Sequence, residues 1–74
     1  MVEALCRLIQ DNYCYLNLAI SYTKVCDWNV EVEQRIEIGK AKRIVNVQDG
    51  DLNRACAEAY LKTTEWLCMN KGGY

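Results

Sequence analysis

Histidine is absent from this chain, and serine occurs once, at Ser21, among 74 residues. A Ser/His/Asp or Cys/His centre needs an imidazole to take the proton of its nucleophile, so neither is built within one chain. No cysteine pair has the close spacing of a zinc knuckle, and without histidine only thiolates and carboxylates are left as ligands. Gly39, Gly50, Gly72 and Gly73 compose neither of the glycine fingerprints that cradle phosphates. Asp49-Gly50-Asp51 lacks the rest of a calcium-loop pattern, and is read as a turn and helix cap. A paired-carboxylate hydrolase needs a cleft, for which a chain of this size leaves little room. The expectation is a protein that is not an enzyme, with no catalytic, cofactor-binding or metal-binding residues.

Long apolar runs are also lacking. None approaches the roughly 18 to 20 residues of a membrane span. Glu3 and Arg7 interrupt the first apolar stretch, so the N-terminal residues do not follow the basic-then-apolar pattern of a signal peptide. The five cysteines, Cys6, Cys14, Cys26, Cys56 and Cys68, are an odd number. Together these features point to a reducing cytoplasm in which the thiols mostly act as small core hydrophobes.

A surplus of positive charge is missing too. Nine basic against ten acidic residues give a net charge of −1, which argues against a generic binder of phosphate backbones. Lys40, Lys42 and Arg43 form the sole basic cluster, read as a solvated turn. Nucleic acid through that cluster is the weaker reading, and it predicts an affinity that falls steeply with salt. A protein partner, with no membrane, is the expectation.

What the sequence does contain is the material of a folded domain. The chain is 51% hydrophobic and 26% charged, and residues 1–74 are read as one small α+β domain. A chain this short buries only about 60% of its unfolded surface, so its core is thin. From Val2 to about Val25, Val2, Leu5, Leu8, Ile9, Tyr13, Leu16, Ala19, Ile20 and Thr23 recur at helical spacing. This predicts one helix, or two with a break near Asn12, where Asp11 or Asn12 would cap the second.

"DWNVEVEQR", residues 27 to 35, switches to a period of two. Trp28, Val30 and Val32 share one face, and Asn29, Glu31, Glu33 and Arg35 the other, as in a half-buried strand. "IGKAK" supplies a turn around Gly39, and "RIVNVQ" a returning strand, which gives a two-stranded antiparallel hairpin. The remainder reads as a long C-terminal helix packed on the hairpin, capped by Asp49 or Asp51 and ended by Gly72 near Asn70 and Lys71. Its inner face comprises Leu52, Ala55, Cys56, Ala59, Tyr60, Thr63, Trp66 and Leu67. An isolated hairpin is marginal in water, so both helices are expected to pack onto it.

Two surfaces are candidates for contact. The polar face of the hairpin, with Asn29, Glu31, Glu33, Arg35 and Glu37, is the candidate for a partner. It is open if both helices cover the valine face, whereas a helix on each side would force its glutamates to an edge or into ion pairs. The second surface is a stripe of Tyr15, Leu18, Tyr22 and Val25 on the first helical segment, a candidate for self-association into a homodimer or else internal packing.

"DWNVEV" together with "DLNRACAEAYLK" resembles the phage ABA sandwich domain, a family of small phage proteins. The family has a helix, a strand segment bearing a tryptophan, and a closing helix with an Ala-Cys-Arg-Ala-like run before Leu-Lys. Here that stretch is Arg54-Ala55-Cys56-Ala57, with the arginine before the cysteine, and the likeness spans Asp27 to Lys62. The resemblance implies a phage origin, helices on both sides of the strands as the family's name suggests, and no catalytic residues to transfer. The expected function is a non-enzymatic protein-binding module, a phage or mobile-element inhibitor of a host defence protein, of the anti-CRISPR or another anti-defence kind. The alternative is a small structural or assembly protein that acts by self-association.

Overall fold

The computed structural model describes residues 1–12 and 14–69. Tyr13 and the helix end expected at Asn70 to Gly72 lie outside the described residues. The elements run α1 (Val2–Gln10), β1 (Leu16–Thr23), β2 (Asp27–Glu37), β3 (Lys40–Asp49) and α2 (Leu52–Met69). The strands form one antiparallel sheet in the order β1-β2-β3.

This corrects the expected architecture. The sheet has three strands rather than a two-stranded hairpin, because residues 16–23 are extended and not the continuation of the first helix. Asn12 marks the change. Instead of capping a second helix, its side-chain amide donates to the carbonyl oxygens of Leu8 and Ile9 at 2.6 and 3.2 Å, while its Oδ1 accepts the Cys14 N–H at 2.7 Å. The side chain thus satisfies carbonyls that the end of α1 leaves open and binds the turn that leads into β1.

The strand then answers to a period of two. Leu16, Leu18 and Ile20 are half-buried while Asn17, Ala19 and Ser21 are exposed. Ile20, Tyr22 and Thr23 add the β-branched and aromatic character that suits a pleated surface. In the register Leu18 lies opposite Val32 and Ile20 opposite Val30, so the apolar side chains of all three strands meet on one face.

Between β1 and β2, Thr23 Oγ1 accepts the Cys26 N–H at 3.0 Å, and Asp27, the first residue of β2, takes the left-handed conformation at φ 60°, which aspartate tolerates better than most residues. Between β2 and β3 the turn narrows to Ile38 and Gly39, with φ +80° at the glycine. Two bulges interrupt the β2–β3 ladder. Ile44 is the extra residue between Val45, opposite Val32, and Arg43, opposite Glu33; Ile36 is the extra residue between Arg35, opposite Ala41, and Glu37, opposite Lys40.

Both helices lie on the valine face and touch each other, so among the described residues no helix covers the second face, which departs from the helices on both sides that the family resemblance implies. The core joins Leu5 of α1, Val30 and Val32 of β2, Val45 and Val47 of β3, and Ala55, Cys56 and Ala59 of α2. Small residues on the inner side of α2 let its backbone approach the sheet closely, and burial raises the Cys56 thiol above its ordinary value, with Cys6 adding to the effect. The start of α2 is held by a pair of aspartates. Asp51 caps it, its Oδ1 accepting the Arg54 N–H at 3.1 Å. Asp49 accepts the Asp51 N–H at 2.9 Å and both the Nε and Nη2 of Arg54 at 2.8 Å.

Candidate functional site

The open face of the sheet is built by the strand residues that alternate with the core. In antiparallel pairing, residues directly opposite one another point to the same side. Three rows therefore cross this face: Ser21, Asn29 and Gln48; Ala19, Glu31 and Asn46; Asn17, Glu33 and Arg43. Every one of them except Ala19 is polar. The middle of the face is organised by one carboxylate. Glu31 Oε1 accepts the side-chain amides of Asn29 at 2.9 Å and Asn46 at 3.0 Å, and Arg43 Nη2 stands 3.7 Å away. Asn46 also donates to Asn29 Oδ1 at 3.1 Å. Glu31, although only 21% of its side chain is exposed, is in this way supplied with donors instead of being left as a desolvated charge.

Glu33 and Arg35 are different. Neither has an ion-pair partner among the described residues. Glu37 stands apart from the network at the end of β2, where it pairs with Lys40 across the turn at 3.0 Å. Of the five residues expected to meet a partner, the fold thus gathers Asn29, Glu31, Glu33 and Arg35 along one strand face and places Glu37 at its rim.

The self-association stripe is not a helical surface. Val25 is 92% exposed in the turn between β1 and β2, whereas Tyr15 is 79% exposed just before the opposite end of β1. Leu18 packs against the core, and the Tyr22 ring lies 5.0 Å from that of Trp28, tilted by 57°. Extended backbone, with its period of two, separates residues that a helix would have aligned.

One apolar patch was not anticipated. Tyr15, Ile36 and Ile38, with Arg35 and Glu37, surround an open depression of about 320 Å³ at the end of the sheet near the β2–β3 turn. Tyr15 is fixed there because its carbonyl oxygen accepts the Arg35 N–H at 2.7 Å. The available signal was "IEIG", where two isoleucines flank a glutamate immediately before a turn glycine.

The basic cluster is partly neutralised, since Lys40 faces Glu37 and Arg43 faces Glu31. Among the described residues no three His, Cys, Asp or Glu side chains come together as a metal-binding group, and no helix is long and apolar enough to cross a membrane. No protein-family model, curated protein or solved structure matches the chain. The choice of contact surface therefore rests on the geometry of this face.

Proposed function

We propose that the chain is a non-enzymatic protein-binding module whose contact surface is the open face of the sheet. The observation that carries this reading is a three-strand face, uncovered among the described residues, on which Asn29, Glu31 and Asn46 hold one another in place beside Glu33 and Arg35, whose charges have no ion-pair partner among those residues. Side chains already fixed by mutual hydrogen bonds lose less conformational freedom on docking than mobile ones. A broad pleated surface also suits another protein better than a small molecule, which favours a concave pocket. At one end, exposed Tyr15, Ile36 and Ile38 add the apolar contact that an interface combines with a polar surround.

The likeness of Asp27 to Lys62 to the phage ABA sandwich domain extends the proposal to the kind of partner. On that basis the protein comes from a phage or mobile element and occupies a host defence protein stoichiometrically, in the host cytoplasm, where its cysteines stay reduced. The net charge of −1 does not suit wholesale mimicry of a nucleic acid.

The test uses the intact chain and the double variant Glu33→Arg/Arg35→Glu as baits in a lysate of the cell that carries the gene. The variant must first show the wild-type circular dichroism and melting temperature. The expected result is a host protein retained stoichiometrically by the wild type and lost by the variant. Equal retention of the same proteins by both baits would overturn the assignment of the face.

A further inference from the structure

The two edges of the sheet are built in opposite ways. β3 carries Lys40, Lys42 and Arg43, and its ladder with β2 is bulged at Ile44. Charge and bulges are the devices by which natural proteins keep an exposed edge from pairing with another strand. β1, at the other edge, has the sequence Leu-Asn-Leu-Ala-Ile-Ser-Tyr-Thr: no charged residue, no proline, and a register with β2 that runs without a shift from Leu16 to Thr23.

The hydrogen-bonding phase of β1 identifies which of its backbone groups point outward. Tyr15 lies opposite Arg35 and accepts its N–H, so by the alternation of antiparallel ladders Asn17, Ala19 and Ser21 also direct their N–H and C=O groups at β2. Those of Leu18, Ile20 and Tyr22 consequently point away from the sheet. The N–H of Leu16 points the same way and already turns to the Cys14 carbonyl at 3.1 Å.

We infer that this edge pairs antiparallel with β1 of a second copy, joining two sheets into one continuous sheet with the helices of both copies on the same side. The strand is complementary to itself under such a twofold axis. With Ala19 on the axis, Leu18 of each copy stands opposite Ile20 of the other in a hydrogen-bonded pair, and Leu16 stands opposite Tyr22. Ala19 then meets its own copy in a non-hydrogen-bonded pair, where backbones come closest, at about 4.5 Å between Cα atoms, and alanine is small enough for that approach. On the open face Asn17 would lie opposite Ser21, a polar pair without charge. On the helix side the pairing would cover Leu16, Leu18 and Ile20, which one copy leaves half-exposed, and Tyr22, which is 56% exposed. A second copy is the occupant that this pattern fits, because identical residues meet near a twofold axis and β1 brings no like charges there. The inference uses the edge of the sheet and is independent of the partner reading of its face.

The test is solution mass by light scattering on the reduced chain, from micromolar to millimolar concentration, combined with hydrogen exchange resolved by residue. The expected result is twice the chain mass, with the Leu18, Ile20 and Tyr22 amides protected at high concentration and exchanging freely on dilution. Ala19→Glu places two carboxylates on the axis and should return the protein to a monomer with an unchanged fold. Glu33→Arg/Arg35→Glu should leave the mass doubled. A monomer throughout the range would overturn the inference, as would a dimer whose edge amides are unprotected in the wild type. The exchange readout remains decisive even where the Ala19 variant folds poorly.

Discussion

Alternate residues of β2 meet opposite environments. Val30 and Val32 are fully buried on the face that carries both helices, whereas Asn29, Glu31 and Glu33, one residue away along the same strand, face the side that no helix among the described residues covers. The inner side is organised by volume, since Ala55, Cys56 and Ala59 leave room for the valines. The outer side is organised by donors and acceptors around a single carboxylate. Stability should therefore reside on the inner face and recognition on the outer one.

The largest effect should come from the inner face. Leu5 is fully buried where α1 meets the core, and Leu5→Ala should cost about 2–5 kcal/mol, a large part of what so small a domain has, as read from a urea titration. Thr63 sharpens the comparison with the opposite sign. It is fully buried on α2, and its hydroxyl has no hydrogen-bond partner among the described residues. Thr63→Val keeps the shape and removes the unpartnered oxygen, so it should stabilise the fold by about 1 kcal/mol and raise the melting temperature.

A smaller change is expected on the open face. Asn46→Ala removes the donor shared by Glu31 and Asn29, yet should cost no more than about 0.5 kcal/mol because solvent replaces the lost bonds. A loss in this variant as large as that of Leu5→Ala would mean that the outer network holds the fold, and the comparison would fail.

The smallest effect belongs to the exposed ion pair at the start of α2. Hydrogen bonds from Arg54, and then the Asp51 N–H, hold the Asp49 carboxyl at about 2, below its ordinary 3.8. Because the folded value is the lower one, its contribution is complete above pH 3.8 and disappears as the pH falls towards 2. Melting temperatures followed down this range should decline more gently in Asp49→Asn than in the wild type.

Much of this arrangement was legible in the residues. Trp28 to Arg35 alternates over enough positions for only one period to fit, and the inner face expected for α2 contains the residues that are buried, Ala55, Cys56, Ala59 and Thr63. The glutamate face was legible for the same reason, because the period of two that buries Val30 and Val32 turns Glu31 outward. β1 was not. Leu16, Ala19, Ile20 and Thr23 satisfy helical spacing, while Leu16, Leu18 and Ile20 satisfy strand spacing, and a window of eight residues does not separate the two. Asn12 was equally ambiguous, since the same side chain can open a helix by accepting N–H groups or close one by donating to carbonyls.

The sequence by itself determined the lack of histidine, the alternation of β2 and the two faces of α2, because those follow from residue type and local period. Tertiary structure decided that residues 16–23 are a strand, since only a neighbouring strand could satisfy their backbone groups in extended form. It also decided that both helices share the valine face. The core has apolar residues for one covered side, and the carboxylates of the other remain in reach of water and of their amide donors.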